Sequence, residues 1–487
     1  MRLYKIIYLM FYFLLFCTSV HTANHYVDKN ATGHNNGTSW RNAWESFSDI
    51  EWNQMQPGDI VYISGGTDST VYYEELYIGD VQGTAGNPIT IKNSYDAGHN
   101  GRVIIDASQG GGRDCLSIGR SPGFSTDYIT ISGLELRNGR YGVFIQYRAN
   151  TIIIDSMTVY DWTYQGFHTA GKKVPEDIDG ITIQNSSWIS PLLGSGGDCI
   201  TTNTSSNHII RNNFIHQRNS KVTNNHVDGI LSLWSEGFKI YNNVIIVDSN
   251  AQGQAIILAA WADAADEDSI IIYNNYIFQG GIWNSEKFPW TSVVNLRWNG
   301  GTIKPPAFVA HNTIVSNGRY VQGFVFEYPA TLVNNIVAQF GDGVNPASDY
   351  WLENLRNSTG TIYVDSIRSN ILWREWTGKW TGNRNRTRAM FTGTWHGNLT
   401  SARNFGWSKW RGTLRGTGIN ANPLFVDQIG YIGDQSTLDG ELKSGSPAIN
   451  AGEDIQAIIE RMGLPWTDIN GNPRDSTPDI GAYEYVH

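Results

Sequence analysis

A short motif, two apolar strands joined by a polar pair, repeats along the chain. Its clearest copies are His208-Ile-Ile-Arg-Asn-Asn213-Phe-Ile and Phe238-Lys-Ile-Tyr-Asn-Asn243-Val-Ile, whose Asn-Asn pairs lie 30 residues apart. The strands are rich in β-branched residues and alternate in polarity, which predicts a pleated, half-buried surface and not a helix. The pattern therefore predicts a repeating β-structure.

Further copies of the motif extend in both directions, starting at Ile129, Thr151, Ile181, Ile270, Phe308, Thr331 and Ser369. One copy cannot bury its own apolar face, so we expect successive coils to stack with parallel strands about 4.8 Å apart. Six asparagines predict a turn ladder whose side-chain amides bond from coil to coil: Asn213, Asn243, Asn275, Asn312, Asn335 and Asn370. The chain is thus predicted to be an all-β solenoid.

The stacked motif resembles the right-handed parallel β-helix of the pectate-lyase-like superfamily, from about Tyr26 to Val364. The tail Asp479-Ile-Gly-Ala-Tyr-Glu484-Tyr resembles the end of many secreted bacterial β-helix proteins. The fold class we expect is a right-handed parallel β-helix with an N-terminal capping helix and a C-terminal cap. The capping helix is predicted around Ala43–Trp52, where it would cover unpaired strand edges, and a second short helix at Ile455–Met462.

Four segments follow from this organisation. Residues 1–23 combine Arg2 and Lys5 with the apolar run Ile6–Phe16, which predicts a secretory signal and is too short for a membrane span. Residues 24–128 are predicted to form the N-terminal cap and first coils, 129–375 the central β-helix, and 376–487 a Trp/Arg-rich extension with the C-terminal cap. We expect a secreted or periplasmic protein; lipid anchoring through Cys17 is less favoured because Phe16 is not small.

Charge composition bears on the partner. The chain of 487 residues has a formal net charge of −10, which argues against nucleic acid. The segment 351–415 is locally basic and rich in tryptophan, a combination that suits an anionic polysaccharide, because indoles stack on sugars and guanidinium groups pair with carboxylates. The alternative is that these tryptophans pack an extra β layer. Cys115 and Cys199 are predicted to be small buried residues, not reactive thiols.

The central coils carry the candidate site. Asp198 lies 15 residues before Asn213, and Asp228 lies 15 residues before Asn243, so the two acids should stack. His168 lies 30 residues before Asp198, in the same register. His226, two residues before Asp228, should face the same side. The predicted catalytic residues are therefore His168, Asp198, His226 and Asp228. The alternative is that the two acids form a stacked polar ladder without catalysis.

A cation is predicted at the two acids. Carboxylates one strand spacing apart, about 5 Å, repel each other unless one is protonated or a cation lies between them. Hard oxygen ligands favour Ca²⁺, so calcium is the candidate cofactor at Asp198 and Asp228. The candidate substrate contacts are Lys172, Lys173, Arg297 and Trp298.

Three functions remain open at this point. A polysaccharide lyase acting by β-elimination on a uronic-acid polymer fits the column and the basic region, with His226 or His168 as the base. A glycoside hydrolase would use Asp198 and Asp228 as its two acids. A glycan-binding or adhesin-like solenoid would use neither. We favour the lyase, and we expect a monomer whose partner is an anionic polysaccharide.

Overall fold

The computed structural model describes residues 22–109, 113–119, 125–172, 177–192, 197–218, 227–248, 253–262, 270–280, 291–301, 306–317, 321–326, 330–340, 350–354, 364–374, 418–419, 421–426 and 440–486. The first strands in chain order are β1 (Asn24–Val27), β2 (Ile60–Ile63), β3 (Ser69–Tyr72), β4 (Leu76–Ile78), β5 (Ile89–Asn93), β6 (Arg102–Asp106), β7 (Leu116–Ile118), β8 (Thr126–Ser132), β9 (Leu134–Arg137), β10 (Tyr141–Gln146), β11 (Ala149–Asp155), β12 (Thr158–Tyr160), β13 (Gln165–Ala170), β14 (Ile178–Gln184), β15 (Ser187–Ile189), β16 (Ile200–Asn203) and β17 (Ser206–Arg211). The later strands are β18 (Phe214–Gln217), β19 (Ile230–Leu233), β20 (Glu236–Tyr241), β21 (Val244–Val247), β22 (Ile256–Ala262), β23 (Ile270–Tyr273), β24 (Tyr276–Gln279), β25 (Thr291–Gly301), β26 (Ala307–Ala310), β27 (Thr313–Asn317), β28 (Val321–Phe326), β29 (Ala330–Val333), β30 (Ile336–Phe340), β31 (Tyr350–Asn354), β32 (Val364–Arg368), β33 (Asn370–Arg374) and β34 (Gly418–Ile419).

These strands form three parallel sheets that the chain visits in turn. Within the described residues, sheet A holds β1, β2, β5, β8, β11, β14, β17, β20, β23, β26, β29 and β32; sheet B holds β3, β6, β9, β12, β15, β18, β21, β24, β27, β30, β33 and β34; and sheet C holds β4, β7, β10, β13, β16, β19, β22, β25, β28 and β31. A complete coil thus adds one strand to each sheet, with apolar side chains stacked inside. Ile210 pairs with Ile240, and Ile240 pairs with Ile272; all three are fully buried. The predicted parallel β-helix is confirmed.

The corner that leads from sheet B into sheet C is lined by small buried residues. Cys115 and Cys199 occupy the same corner position as Gly142, Gly166 and Gly229 in other coils. A Cβ on Gly142 would lie only 2.3 Å from Val159, so space at this corner is tight. Both cysteines are fully buried and free, and burial raises the pKa of the Cys115 thiol to about 12. The prediction of small buried residues is confirmed.

The asparagine ladder forms as predicted, at the turn between sheets A and B. Each side-chain oxygen accepts the backbone N–H of the asparagine one coil earlier, as when Asn213 donates to Asn243 Oδ1 at 3.0 Å and Asn243 donates to Asn275 Oδ1 at 3.0 Å. The same contact continues through Asn312, Asn335 and Asn370. These amides satisfy backbone groups that the turn would otherwise leave buried without partners.

The predicted N-terminal capping helix is replaced by two short 3₁₀ turns, Phe47–Asp49 and Trp52–Gln54. Phe47 lies in the first turn and is buried, as are Trp44 before the turn and Ile50 directly after it. They belong to the same apolar cluster as the coil interior. The residues that cover this end of the core are therefore the predicted ones, but their backbone is not α-helical.

The C-terminal tail, residues 440–486, lies along the flank of the coil. It contains the helix α1 (Gln456–Arg461), close to the predicted Ile455–Met462. Ile455, Ile459 and Leu464 pack on the outer face of sheet A. Leu442, Ala448, Ile480, Ala482 and Tyr483 of the tail pack on the outer face of sheet B. The tail therefore covers the later coils of sheets A and B across the turn that joins them.

A buried arginine ties the tail to the asparagine turn. Arg474 donates through Nη2 to Asn274 Oδ1 at 2.8 Å and through Nη1 to Glu484. The backbone N–H of Gly481 donates to the carbonyl of Asn334 at 2.8 Å.

No helix among the described residues has the length and apolar character needed to cross a bilayer.

Candidate active face on sheet C

One row of outward-facing residues crosses sheet C in register. Consecutive strands pair at Tyr77, Ser117, Phe144, His168, Thr201, Leu231, Ile257 and Asn295. Side chains on this row alternate with the inward residues of the core, because successive residues of a strand point to opposite faces. His168 therefore stands in the middle of the outer face of sheet C.

An aromatic cluster surrounds His168. Its imidazole stacks on the Tyr141 ring with centroids 5.2 Å apart and planes 10° apart, and it lies 5.5 Å from the Phe144 ring. Tyr141 and Phe144 also stack on each other at 4.3 Å. The edge of Tyr164 meets Tyr141 at 5.3 Å, and Tyr164 is 54% exposed. The cluster thus offers an exposed ring beside a largely covered one, an arrangement that suits contact with a sugar ring.

A fixed cation lies over the same rings. The Arg140 guanidinium carbon is 4.9 Å from the Tyr141 centroid and 5.9 Å from the Phe144 centroid. Arg140 holds the Asp114 carboxylate through two bonds, Nε to Oδ1 at 3.0 Å and Nη2 to Oδ2 at 3.1 Å. These bonds raise the pKa of Arg140 and fix its plane. The Arg140 side chain is 50% exposed, so its free edge is open to a ligand.

His168 is held in its neutral form. Burial, together with the charge of Arg140, lowers its pKa from the ordinary 6.5 to about 4. Its Nδ1 is buried and has no hydrogen-bond partner among the described residues. A neutral imidazole keeps one unshared electron pair, so at neutral pH His168 is in the unprotonated form that a general base requires.

The predicted column of His168, Asp198 and Asp228 is only partly correct. Asp228 follows Asp198 by one coil, because Ile200 pairs with Ile230. His168, however, pairs with Thr201, 33 residues away, so it lies three positions further along its strand than the acids. The reason is that this coil is three residues longer than the 30-residue period. The coil position that corresponds to Asp198 is held by Gln165, whose Nε2 donates to Asp198 Oδ2 at 3.1 Å.

Asp198 and Asp228 belong to a buried ladder beside the outer face. Asp198 Oδ1 accepts the backbone N–H of Asp228 at 2.8 Å, and Asp228 Oδ1 accepts that of Gln254 at 2.7 Å. Asp198 Oδ2 also accepts the Thr201 hydroxyl at 3.0 Å. The two acids are 6% and 0% exposed. Burial and the charge of Asp228 raise the pKa of Asp198. This geometry favours the ladder alternative.

Calcium at this pair finds no support in the described residues. The Asp198 oxygens already accept three N–H or O–H donors, as in a hydrogen-bonded ladder. Within the described ranges, no three His, Cys, Asp or Glu side chains come close enough to hold a metal ion. The calcium site stays a prediction.

The other predicted residues are placed as follows. Lys172 lies just beyond β13, with its Nζ 5.0 Å from the Tyr147 ring. Lys173 and His226 lie outside the described residues, as do most of the Trp/Arg-rich segment and the signal segment. Arg297 and Trp298 lie on β25, and only their backbone is described.

Sequence reasoning missed Arg140, Tyr141, Phe144 and Tyr164. The available signal was Asn138-Gly-Arg-Tyr-Gly-Val-Phe144-Ile, where Val143 and Ile145 alternate inward and Phe144 is therefore a large aromatic residue facing outward. Assigning β10 to sheet C would have placed Phe144 beside His168.

Comparisons with known proteins agree on the fold. No family model matches the sequence. Pectate lyase Pel9A superposes with a TM-score of 0.51 at 15% identity, covering 96% of this chain and 98% of Pel9A. A rhamnogalacturonan lyase superposes with a TM-score of 0.42 at 14% identity, covering 70% and 84% of the two chains. The fold is a right-handed parallel β-helix of the pectate-lyase type.

A sequence match of limited extent adds a second kind of relative. A lacto-N-biosidase of Bifidobacterium longum subsp. longum is 26% identical over 209 residues, which is 40% of this chain and 12% of that protein. The matched part is thus a small fraction of the relative. Among solved structures, a lacto-N-biosidase from Eubacterium ramulus superposes with a TM-score of 0.35 at 12% identity, covering 64% of this chain and 68% of that one.

Proposed function

We propose that this protein is a polysaccharide lyase that cleaves a uronic-acid-containing polymer by β-elimination on the outer face of sheet C. The observation that carries the proposal is the neutral imidazole of His168, stacked on aromatic rings within the field of Arg140. A base and a carboxylate-binding cation on one exposed face are what this reaction needs.

Each residue of the face has a role in the proposed reaction. The open edge of Arg140 pairs with the sugar carboxylate and stabilises the negative charge that develops when the C5 proton leaves. His168 accepts that proton, and the C5–H electron pair becomes the C4–C5 double bond. The C4–O bond breaks, and the departing oxygen takes a proton from solvent. Tyr164 supplies an exposed ring against which the sugar is held.

The distribution of covered surface supports the choice of face. The tail covers the later coils of sheets A and B with apolar contacts, through Ile459 on one side and Ile480 on the other. Sheet C carries the aromatic cluster, Arg140 and His168 on its outside. The name of Pel9A is consistent with this chemistry, since that protein is a pectate lyase. We further propose that the protein is secreted and acts as a monomer.

A two-product assay tests the reaction class. Purified protein is offered pectate, alginate and glycosaminoglycans, and both ultraviolet absorbance and new reducing ends are followed. The proposal expects an unsaturated uronide on at least one acidic polymer, and expects its loss in His168→Ala. His34→Ala, a change at an exposed histidine away from sheet C, is the matched control and keeps full activity.

Glycoside hydrolysis is the second candidate. It is favoured by the likeness to a lacto-N-biosidase and by the raised pKa of Asp198, since a protonated carboxyl can act as a general acid. New reducing ends without ultraviolet absorbance, lost in Asp198→Asn, would select this reading over the lyase.

A further inference from the structure

The turn from sheet C into sheet A carries bulky residues in a strained backbone conformation. Tyr147, Thr204 and Trp234 have φ angles of 55°, 52° and 53°. In this left-handed region the Cβ atom of an L residue crowds the backbone, so glycine and asparagine are the usual occupants. A tyrosine and a tryptophan here cost conformational energy.

The turn between sheets A and B also contains left-handed positions, but with different residues. Its left-handed positions are held mainly by asparagine: Asn185, Asn212, Asn242, Asn274 and Asn334. Asparagine tolerates the left-handed conformation, and its amide bonds to the neighbouring coil, as when Asn212 Nδ2 donates to Asn185 Oδ1 at 3.3 Å. The aromatic side chains of the sheet C turn must contribute something that asparagine cannot, and strain of this kind is often retained at ligand contacts.

Burial does not account for the tryptophan. Trp234 is 52% exposed, and the adjacent Leu233 is 36% exposed. An indole that stays half in water gains little from packing, so packing does not offset the strain. Lys172, also exposed, holds its ammonium group 5.0 Å from the Tyr147 ring. The turn therefore presents the Trp234 indole and the Lys172 ammonium to solvent, with the half-buried Tyr147 ring beside that ammonium.

The row lies next to the proposed active face. Gln146 pairs with Ala170 and Asn203 pairs with Leu233, so Tyr147, Thr204 and Trp234 follow sheet C at one position of the coil. Tyr147 and Trp234 are three coils apart, about 14 Å at the usual strand spacing. The row also runs about 10 Å beyond His168 along the strand. A polymer lying along the coil axis can contact both.

We propose that Tyr147, Lys172 and Trp234 form a binding subsite for an acidic polysaccharide, separate from the residues that react. The choice of an acidic chain rests on the proposed function and on Lys172, a cation on a protein of net charge −10. The two rings stack on sugar faces, and Lys172 attracts a carboxylate. This subsite holds the chain without taking part in bond cleavage.

Binding and stability, measured together, test the subsite. Affinity electrophoresis is run in gels containing pectate, alginate, a glycosaminoglycan or neutral dextran, and thermal unfolding is followed in parallel. Trp234→Asn is expected to unfold at the same or a higher temperature, because asparagine suits the left-handed turn, while its affinity for the acidic polymer falls about tenfold. Lys172→Met is expected to lose the preference for acidic over neutral polymer.

Thr204→Asn is the matched control, since it relieves the same turn without removing an aromatic ring. It is expected to raise the unfolding temperature and leave affinity unchanged. The subsite is overturned if Trp234→Asn binds normally, if Thr204→Asn loses affinity equally, or if the wild type binds none of the polymers. Binding that Trp234→Asn weakens, in a protein that makes no unsaturated product, would uphold the subsite and reject the lyase reaction.

Discussion

Asp198 accepts the backbone N–H of Asp228 at 2.8 Å, so the two acids are successive rungs of one ladder. Each rung also ties its own coil to the next, and both side chains are buried. Carboxylates that face a substrate need open lone pairs, whereas these are engaged by the protein. The pair is therefore better suited to holding the edge of sheet C than to cleaving a bond there.

This relationship predicts a difference between two substitutions. Asp198→Asn keeps an oxygen for the Asp228 N–H and should leave folding and lyase activity nearly unchanged. Asp198→Ala removes that acceptor and should lower the free energy of unfolding by roughly 1–3 kcal/mol for each buried donor left unpaired. Urea denaturation of both variants measures this. Equal destabilisation by Asn and Ala would contradict the ladder role.

The raised pKa of Asp198 also predicts a pH dependence of stability. The folded protein binds this proton more tightly than the unfolded chain does, so this contribution to stability falls as pH rises from the ordinary pKa of 3.8 through the raised value. Asp198→Asn should remove that slope. The free energy of unfolding of both proteins, measured between about pH 4 and pH 7, checks the sign.

The lowered pKa of His168 predicts the acid limit of activity. A base must be unprotonated, and the His168 pKa of about 4 keeps it so well below the ordinary 6.5. The acid limb of kcat/KM, which reports the free enzyme, should therefore fall near pH 4. Arg140→Met should move that limb upward, since it removes the neighbouring positive charge. A limb near 6.5 in the wild type would place the base elsewhere.

The asparagine ladder predicts a large cost for one interior residue. Asn243 is fully buried, donates to Asn275 Oδ1 and Ile210 O, and accepts from Asn213. Asn243→Ala should lower the free energy of unfolding by about 2–4 kcal/mol, because several buried groups lose partners. Asn212→Gly is the control: its φ of 54° suits glycine, and the loss should be small.

The tail predicts a contrast between neighbouring positions of α1. Ile459 is fully buried on sheet A, whereas Ile458 is only partly buried. Ile459→Ala should cost about 2–5 kcal/mol, and Ile458→Ala clearly less. Thermal unfolding of both variants measures the difference. Similar losses would mean that the tail is not seated on sheet A through Ile459.

The repeat could be predicted from the sequence because each coil carries its own copy of the motif. The asparagine ladder and the parallel sheets follow from the recurring strand–Asn–strand motif, and the stacking of Asp198 and Asp228 follows from the 30-residue spacing of its two clearest copies. The position of His168 was predicted wrongly because its coil is three residues longer than 30, and counting back by a fixed period cannot detect such an insertion. The active face was missed for a related reason. Arg140 and Tyr164 lie just before the first residues of β10 and β13, where strand alternation does not indicate which way a side chain points.

Two strands of sheet A carry a sequence signal that their outer face is covered, but periodicity alone does not identify the covering segment. Ile270-Ile-Ile-Tyr273 and Ala307-Phe-Val-Ala310 are apolar at every position, which indicates a strand covered on both faces. What covers the outer face depends on a segment more than a hundred residues later in the chain. The local sequence pattern shows that such a strand is buried on both faces, but it does not show which segment covers it.

The most direct test of the active face compares the rate of unsaturated-uronide formation in His168→Gln and Asp228→Asn, side by side with the wild type on the polymer that it cleaves fastest. If His168 is the base, His168→Gln loses at least about a hundredfold in rate, the lower end for removal of a general base, while Asp228→Asn stays close to the wild type. Full activity in His168→Gln with loss in Asp228→Asn would move the chemistry from the outer face of sheet C to the acid ladder and contradict the account.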